Sequence, residues 1–217
     1  MTVVWQVAYL IAVYLVAGIP VGYLVVRKTV GFDIRAYGTG NIGTSNIYRN
    51  AGTGPAVWTG PLQFAQGFIP LFAGELTYVH PPVLFMAAVV ATVANMWPVW
   101  LRFNGGRGIA VATGVVAAIA PALLPALLGV YAAGALLHGI APGVLGGFIL
   151  ATAVAFAAGT VPLGLTMVAL TLLVLLRRLA GLRSDPAATR FSYANVLGRL
   201  LWDRRSGETL VGRRAAQ

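Results

Sequence analysis

The sequence predicts an all-α fold, a polytopic membrane helix bundle of about seven short transmembrane helices with its N-terminus outside. Three observations predict it. Apolar residues make up 59% of the 217 positions and charged residues only 9%, with a mean hydropathy of +0.83, whereas a soluble domain carries about 25% charged residues. Long stretches, 1–26 and 109–176, hold no Asp, Glu, Lys or Arg. The cations gather in the segments between apolar runs, which the positive-inside rule reads as orientation.

The run 1–26 is long enough to cross a hydrocarbon core of roughly 30 Å. It lacks a basic start and ends in Arg27 and Lys28, so it reads as a retained span rather than a cleaved leader. A polar stretch, 27–50, follows with four cations, Asp33 and many glycines. Residues 51–73 form a second apolar run that contains Pro55, Pro61, Gln63, Gln66 and Pro70. After a short turn at 75–82, which includes His80, residues 83–101 form a third span. A tight basic loop, 102–108, comes next. Breaks near Pro121 to Pro125, at 138–143 and at 159–164 divide 109–176 into four short segments of roughly 12 to 17 residues. Parity agrees: basic loops at 27–50 and 102–108 and a basic tail from Arg177 all belong on the cytoplasmic side if an even number of crossings joins Gly108 to Arg177, which four short spans or two long kinked ones both satisfy, the breaks favouring four. Residues 1–176 are therefore the transmembrane bundle and 177–217 a basic cytoplasmic C-terminal tail. Within that tail 195–202 has the pattern of a short amphipathic helix on the inner surface.

Composition also excludes chemistry. With no cysteine, disulfides and thiol catalysis are out. His80 and His138 have no second ligand at metal spacing, so no metal or other cofactor is expected. The net charge of +10 points to anionic lipid or phosphate ligands at a membrane rather than to nucleic acid. Trp97, Trp100 and Trp202 suit anchoring at the membrane interface.

Two loops have the composition of phosphate cradles. In the first, Gly38, Gly40 and Gly43 alternate with Thr39, Asn41, Thr44, Ser45 and Asn46, and Arg49 closes the run. Glycines let backbone amides approach an anion, hydroxyl and amide side chains add donors, and arginine offers a two-pronged fork. Neither the nucleotide P-loop nor the dinucleotide spacing is met. The second loop, RFNGGRG at 102–108, flanks Gly105, Gly106 and Gly108 with Arg102 and Arg107. Each loop also reads as a plain polar turn or a positive-inside anchor. Asn95 and Gln66, uncharged amides within spans, face either a helix partner or a polar cavity.

The segment IPVGYLVVRKTVGFDIRAYGTGNIGTSNIYRNAG, residues 19–52, resembles the first signature of the bacterial acyl-phosphate-dependent glycerol-3-phosphate acyltransferases, a Gly-Ser-Gly-Asn-Ile-Gly-Ala-Thr-Asn run with Arg three residues on. RFNGGRGIAVATG at 102–114 is similar to the second, a Lys-Phe-Lys-Gly-Gly-Lys-Gly loop, and QFAQGFIPLF at 63–72 to the family's second span. The resemblance covers roughly 19–176 and implies seven short spans with the motifs on the cytoplasmic face of the plasma membrane. It implies transfer of an acyl group from acyl phosphate to glycerol 3-phosphate, giving lysophosphatidic acid for phospholipid synthesis, without metal or nucleotide. By carry-over Thr39 stands for the family's Ser, Asn41, Asn46 and Arg49 match, and Gly105, Gly106 and Gly108 match the loop that grips glycerol phosphate. Thr39, Arg49 and Arg107 are the implied catalytic group. Gly38, Gly40, Asn41, Gly43, Ser45, Asn46, Asn95, Gly105, Gly106 and Gly108 are the implied substrate contacts. Arg107 replaces a Lys, Gln66 a Lys and Asn95 a His. A third signature, His-Arg-Glu-Asn, is absent; by position it falls at 178–181, and otherwise only Ser192-Tyr-Ala-Asn195 offers its Asn. The alternatives are a non-catalytic membrane binding or regulatory subunit, motivated by that absence, and a transporter for a phosphorylated small molecule.

Overall fold

The computed structural model describes residues 2–137 and 139–180, so His138, Trp202, the 192–195 and 195–202 segments and the rest of the tail lie outside the described residues. Within them the chain is helical, with no strand. The helices are α1 (Val3–Ala17), α2 (Val21–Thr29), α3 (Thr44–Ala51), α4 (Thr53–Leu76), α5 (Pro81–Met96), α6 (Ile109–Ile119), α7 (Leu124–Leu136), α8 (Ile140–Ala157) and α9 (Val161–Ala180). Four stretches among the described residues are long and apolar enough to span: Val3–Thr29, Pro81–Leu101, Ile140–Ala157 and Val161–Ala180. The shorter apolar helices Ile109–Ile119 and Pro121–Leu136 and the 24-residue α4 bring the apolar segments to the expected seven.

The breaks differ in detail, for local reasons. The first run is interrupted at Gly18 to Pro20, because Pro20 has no amide to continue the α1 ladder, and it resumes as α2. Pro142 and Pro162, expected to break the chain, sit inside the first turns of α8 and α9, where a missing amide costs nothing. That lengthens both helices to 18 and 20 residues, beyond the expected range. α9 also runs through Arg177 and Arg178 to Ala180, so these two arginines sit on the last bundle helix, whereas the sequence places the start of the tail at 177. Conversely α6 has only 11 residues. Every position from Val111 to Ala118 is buried, so this short helix is surrounded by protein and does not have to match the bilayer alone.

Small residues set the packing, as expected where lipid offers no hydrophobic drive between helices. Gly134 of α7 and Gly143 of α8 meet backbone to backbone. Polar side chains tie off the helix breaks. Gln66 Nε2 donates to Val16 O (3.0 Å) and Ile19 O (2.8 Å), closing the open end of α1, and Tyr14 Oη donates to Trp97 O at 2.7 Å. Trp100 is exposed and donates to Leu15 O at 3.4 Å, whereas Trp97 lies beneath Arg177, whose guanidinium is 5.5 Å from its ring centre. His80 is exposed in the α4–α5 connection.

The main core runs along α1, α5, α6, α8 and α9. A second, small core joins Val26, Ile34, Ile42, Ile47, Ala56 and Leu101. It fastens α2, the polar loop and α3 to the start of α4, which makes the 27–50 segment part of the folded body.

Candidate active site

One cavity of about 410 Å³ gathers both basic loops. Its wall takes Asn41, Gly43, Ser45 and Arg49 from the first, Arg107 and Gly108 from the second, and Asn95 from the end of α5. Topology explains the meeting: each pair of crossings returns the chain to the same end of the bundle, where α3, α4, α6 and α8 begin and α9 ends.

The first loop is built around Asn46, which is 3% exposed. Its Oδ1 accepts from Thr39 N (2.9 Å) and Asn50 Nδ2 (3.1 Å), while its Nδ2 donates to Asn41 O (2.8 Å) and Tyr37 O (3.1 Å). Asn41 closes an Asx turn by accepting from Gly43 N at 2.7 Å and donates to Thr39 Oγ1 at 2.7 Å. Asn46 is therefore spent on holding the loop, and Thr39, Gly38 and Gly40 shape it rather than line the cavity. Asn46→Ala takes the partner from the half-buried Thr39 amide and from the Asn41 carbonyl, while Tyr37 O keeps its bond from Gly40 N, at about 1–3 kcal/mol for each group left unpaired. The expected result is a lower unfolding midpoint in detergent and faster hydrogen exchange at the Thr39 amide; an unchanged midpoint and exchange rate contradict it. Outside the spans, Arg35 grips Asp33 at 2.7 Å, and this bond holds the Asp33 carboxyl below its ordinary pKa of 3.8.

In the second loop the amides of Gly105 and Gly106 are already used, donating to Met96 O (3.2 Å) and Asn95 O (2.9 Å). These two glycines are absent from the cavity wall, where the loop is represented by Arg107 and Gly108. Their carbonyls accept instead from Arg177, Nη2 to Gly105 O at 3.1 Å and Nε to Gly106 O at 3.0 Å. Gly108 does line the cavity; its φ of +72° lets the chain turn sharply into α6, a conformation that strains other residues.

The donors facing the cavity are helix starts. α3 begins after Gly43, α6 after Gly108 and α8 after Gly139, and none has a side-chain cap. Gly43 to Ser45, Gly108 to Ala110 and Gly139 to Ala141 all line the wall. Uncapped first amides and the positive end of the helix dipole favour anions. Three arginines, Arg49, Arg107 and Arg178, join them, and no acidic residue among the described residues lines the cavity. Phe64, Leu128, Ile140 and Val144 give the wall its apolar surface. Sequence reasoning missed Arg178, which is 2% exposed and donates to Ala141 O at 3.0 Å, and Tyr131. Gln63 was noted only as a polar residue within a span; it lies 3% exposed in the wall and donates to Ile42 O at 3.2 Å.

The protein-family model for glycerol-3-phosphate acyltransferase matches residues 7–184. The chain belongs to the glycerol-3-phosphate acyltransferase family. A glycerol-3-phosphate acyltransferase of Anaeromyxobacter sp. (strain K) is 35% identical over 177 residues, 78% of this chain and 88% of that protein. The one of Rubrobacter xylanophilus is 40% identical over 119 residues, 55% of this chain. The chain spans somewhat less than two thirds of the first relatives it matches, 58% of the Rubrobacter protein and 61% of one from Moorella thermoacetica. Among solved structures, the glycerol 3-phosphate form of PlsY, an integral membrane glycerol 3-phosphate acyltransferase, superposes with a TM-score of 0.75 at 27% identity, covering 88% of this chain and 98% of that one. Its lysophosphatidic acid form gives 0.71 at 25% identity. The acyltransferase family model extends through Arg177 and Arg178 and past 178–181, where the third signature is absent. In this family member one of them fixes the second loop and the other enters the cavity.

Proposed function

We propose that the protein transfers an acyl group from acyl phosphate to the primary hydroxyl of glycerol 3-phosphate. The observation that carries the reading is the cavity's lining: three arginines and three uncapped helix starts share one space with apolar Phe64, Leu128 and Val144. Two phosphate-bearing substrates and a fatty chain match that lining, and the relatives named above support the substrate class. The glycerol hydroxyl attacks the acyl carbon, the new C–O ester bond forms, and the bond from the acyl carbon to the phosphate oxygen breaks. Inorganic phosphate leaves with the electron pair and takes up the hydroxyl proton. An acyl phosphate is already activated, so positioning and charge stabilisation are what the protein has to supply. Arg49 and Arg107 hold the phosphates, the α3 and α6 amides orient them, and Asn95, whose buried Nδ2 has no partner, donates to a substrate oxygen.

We place the protein in the plasma membrane with the cavity mouth on the cytoplasmic side. The basic clusters at 27–49, 102–107 and 177–178 gather at one end of the bundle, and positive charge stays inside. Full-length protein in liposomes, given acyl phosphate and labelled glycerol 3-phosphate, yields lysophosphatidic acid. No product under conditions where a relative is active overturns the reading. In that case the second reading stands, a membrane subunit that binds without catalysis, favoured by the absence of the third signature at 178–181; it predicts ligand-induced stabilisation with no acyl transfer.

A further inference from the structure

Tyr131 of α7 lines the cavity, and its hydroxyl is buried with no hydrogen-bond partner. The neighbouring Thr113 hydroxyl donates to Ile109 O at 2.8 Å and lies beside Tyr131 without completing a well-aligned hydrogen bond to it. The Tyr131 ring is fixed: it tilts against fully buried Phe148 with ring centres 6.3 Å apart, and Gly147 leaves it room. A buried hydroxyl on a fixed ring that makes no well-formed hydrogen bond is costly in an interior. Such a cost is retained where a ligand supplies the missing acceptor.

Position identifies the acceptor. Tyr131 stands one turn of α7 from apolar Leu128, and the Arg178 guanidinium lines the same cavity. An acyl phosphate is apolar at one end and anionic at the other, with its carbonyl at the junction. We propose that the Tyr131 hydroxyl donates a hydrogen bond to the acyl carbonyl oxygen and stabilises the negative charge that grows there as the glycerol hydroxyl attacks. The proton stays on Tyr131; bond making and breaking are those already given. The assignment rests on the acyl-transfer reading and adds to it the group that serves the oxyanion. Preorganised donors of this kind act on the transition state more than on the bound substrate.

Tyr131→Phe removes the hydroxyl oxygen alone and keeps the ring. In lipid nanodiscs, with acyl phosphate as the varied substrate, kcat is expected to fall about 10²-fold while KM changes little. The unfolding midpoint is expected to hold or rise, because a buried hydroxyl without a partner is gone. A purely structural hydroxyl gives the opposite pattern. Turnover within about threefold of wild type, a lowered midpoint, or failure to fold each overturns the assignment. A wild-type protein that makes no product overturns the acyl-transfer reading as well, whereas a Tyr131→Phe enzyme equal to an active wild type overturns the tyrosine's role alone.

Discussion

Alanine in place of Arg107 lowers acyl transfer by about 10² to 10³-fold, the loss that follows removal of one donor from a preorganised anion site. Arg107 opens the turn into α6, and the carbonyls beside it at Gly105 and Gly106 are clamped by Arg177. The guanidinium is therefore carried on a fixed backbone at the cavity wall. Its replacement by alanine leaves that backbone in place, so the effect is one of charge. Lysine tests this directly. Arg107→Lys keeps the positive charge and restores the residue type of the related signature, but it loses the planar fork. Most of the activity should return, with a weaker hold on phosphate seen as a raised KM. If Arg107→Ala transfers acyl groups as fast as wild type, the cavity is not where the phosphates sit.

Much of the architecture was legible because it follows from hydropathy and charge alone. Apolar runs, proline breaks and basic loops require no knowledge of neighbours. The two signature loops were legible for the same reason, since Gly, Asn and Arg at those spacings are local facts. What each atom does was not. Gly105 and Gly106 look like anion cradles in sequence, yet their amides pair with the end of α5, a tertiary partner that composition cannot name. Asn46 looks like a ligand and is the pin of its own loop. Gln66 had two readings, helix partner or cavity, and the break at Pro20 decides between them by leaving α1 carbonyls to be satisfied. Tyr131 and Arg178 carry no local signal at all. A tyrosine in an apolar helix reads as packing, and an arginine at a helix end reads as an anchor, until the fold turns both toward one space.

A methyl branch at the α4–α6 crossing is expected to cost more than any loop substitution. These two helices share the bundle's most extensive contact, and two glycines permit it. A Cβ on Gly67 falls 2.8 Å from the Val111 carbonyl carbon, and one on Gly114 falls 2.9 Å from the Phe68 amide nitrogen, each with the facing carbonyl oxygen closer still. The obstacles are backbone atoms of the partner helix, so no rotamer change relieves them and the helices have to part. Overpacking of this sort costs about 1–3 kcal/mol where side chains can yield, and more is expected where they cannot. Gly114→Val should therefore unfold well below wild type. It should also lose activity, because α4 supplies Gln63 and Phe64 to the cavity and α6 supplies Ile109 and Thr113. Gly129→Ala on α7 is the control. Nothing lies within 4 Å of its added Cβ, and alanine is the better helix former by about 0.5–1 kcal/mol, so stability should hold or improve. Equal thermal midpoints for Gly114→Val and Gly129→Ala would mean that close approach of α4 and α6 is not what holds the cavity walls in register.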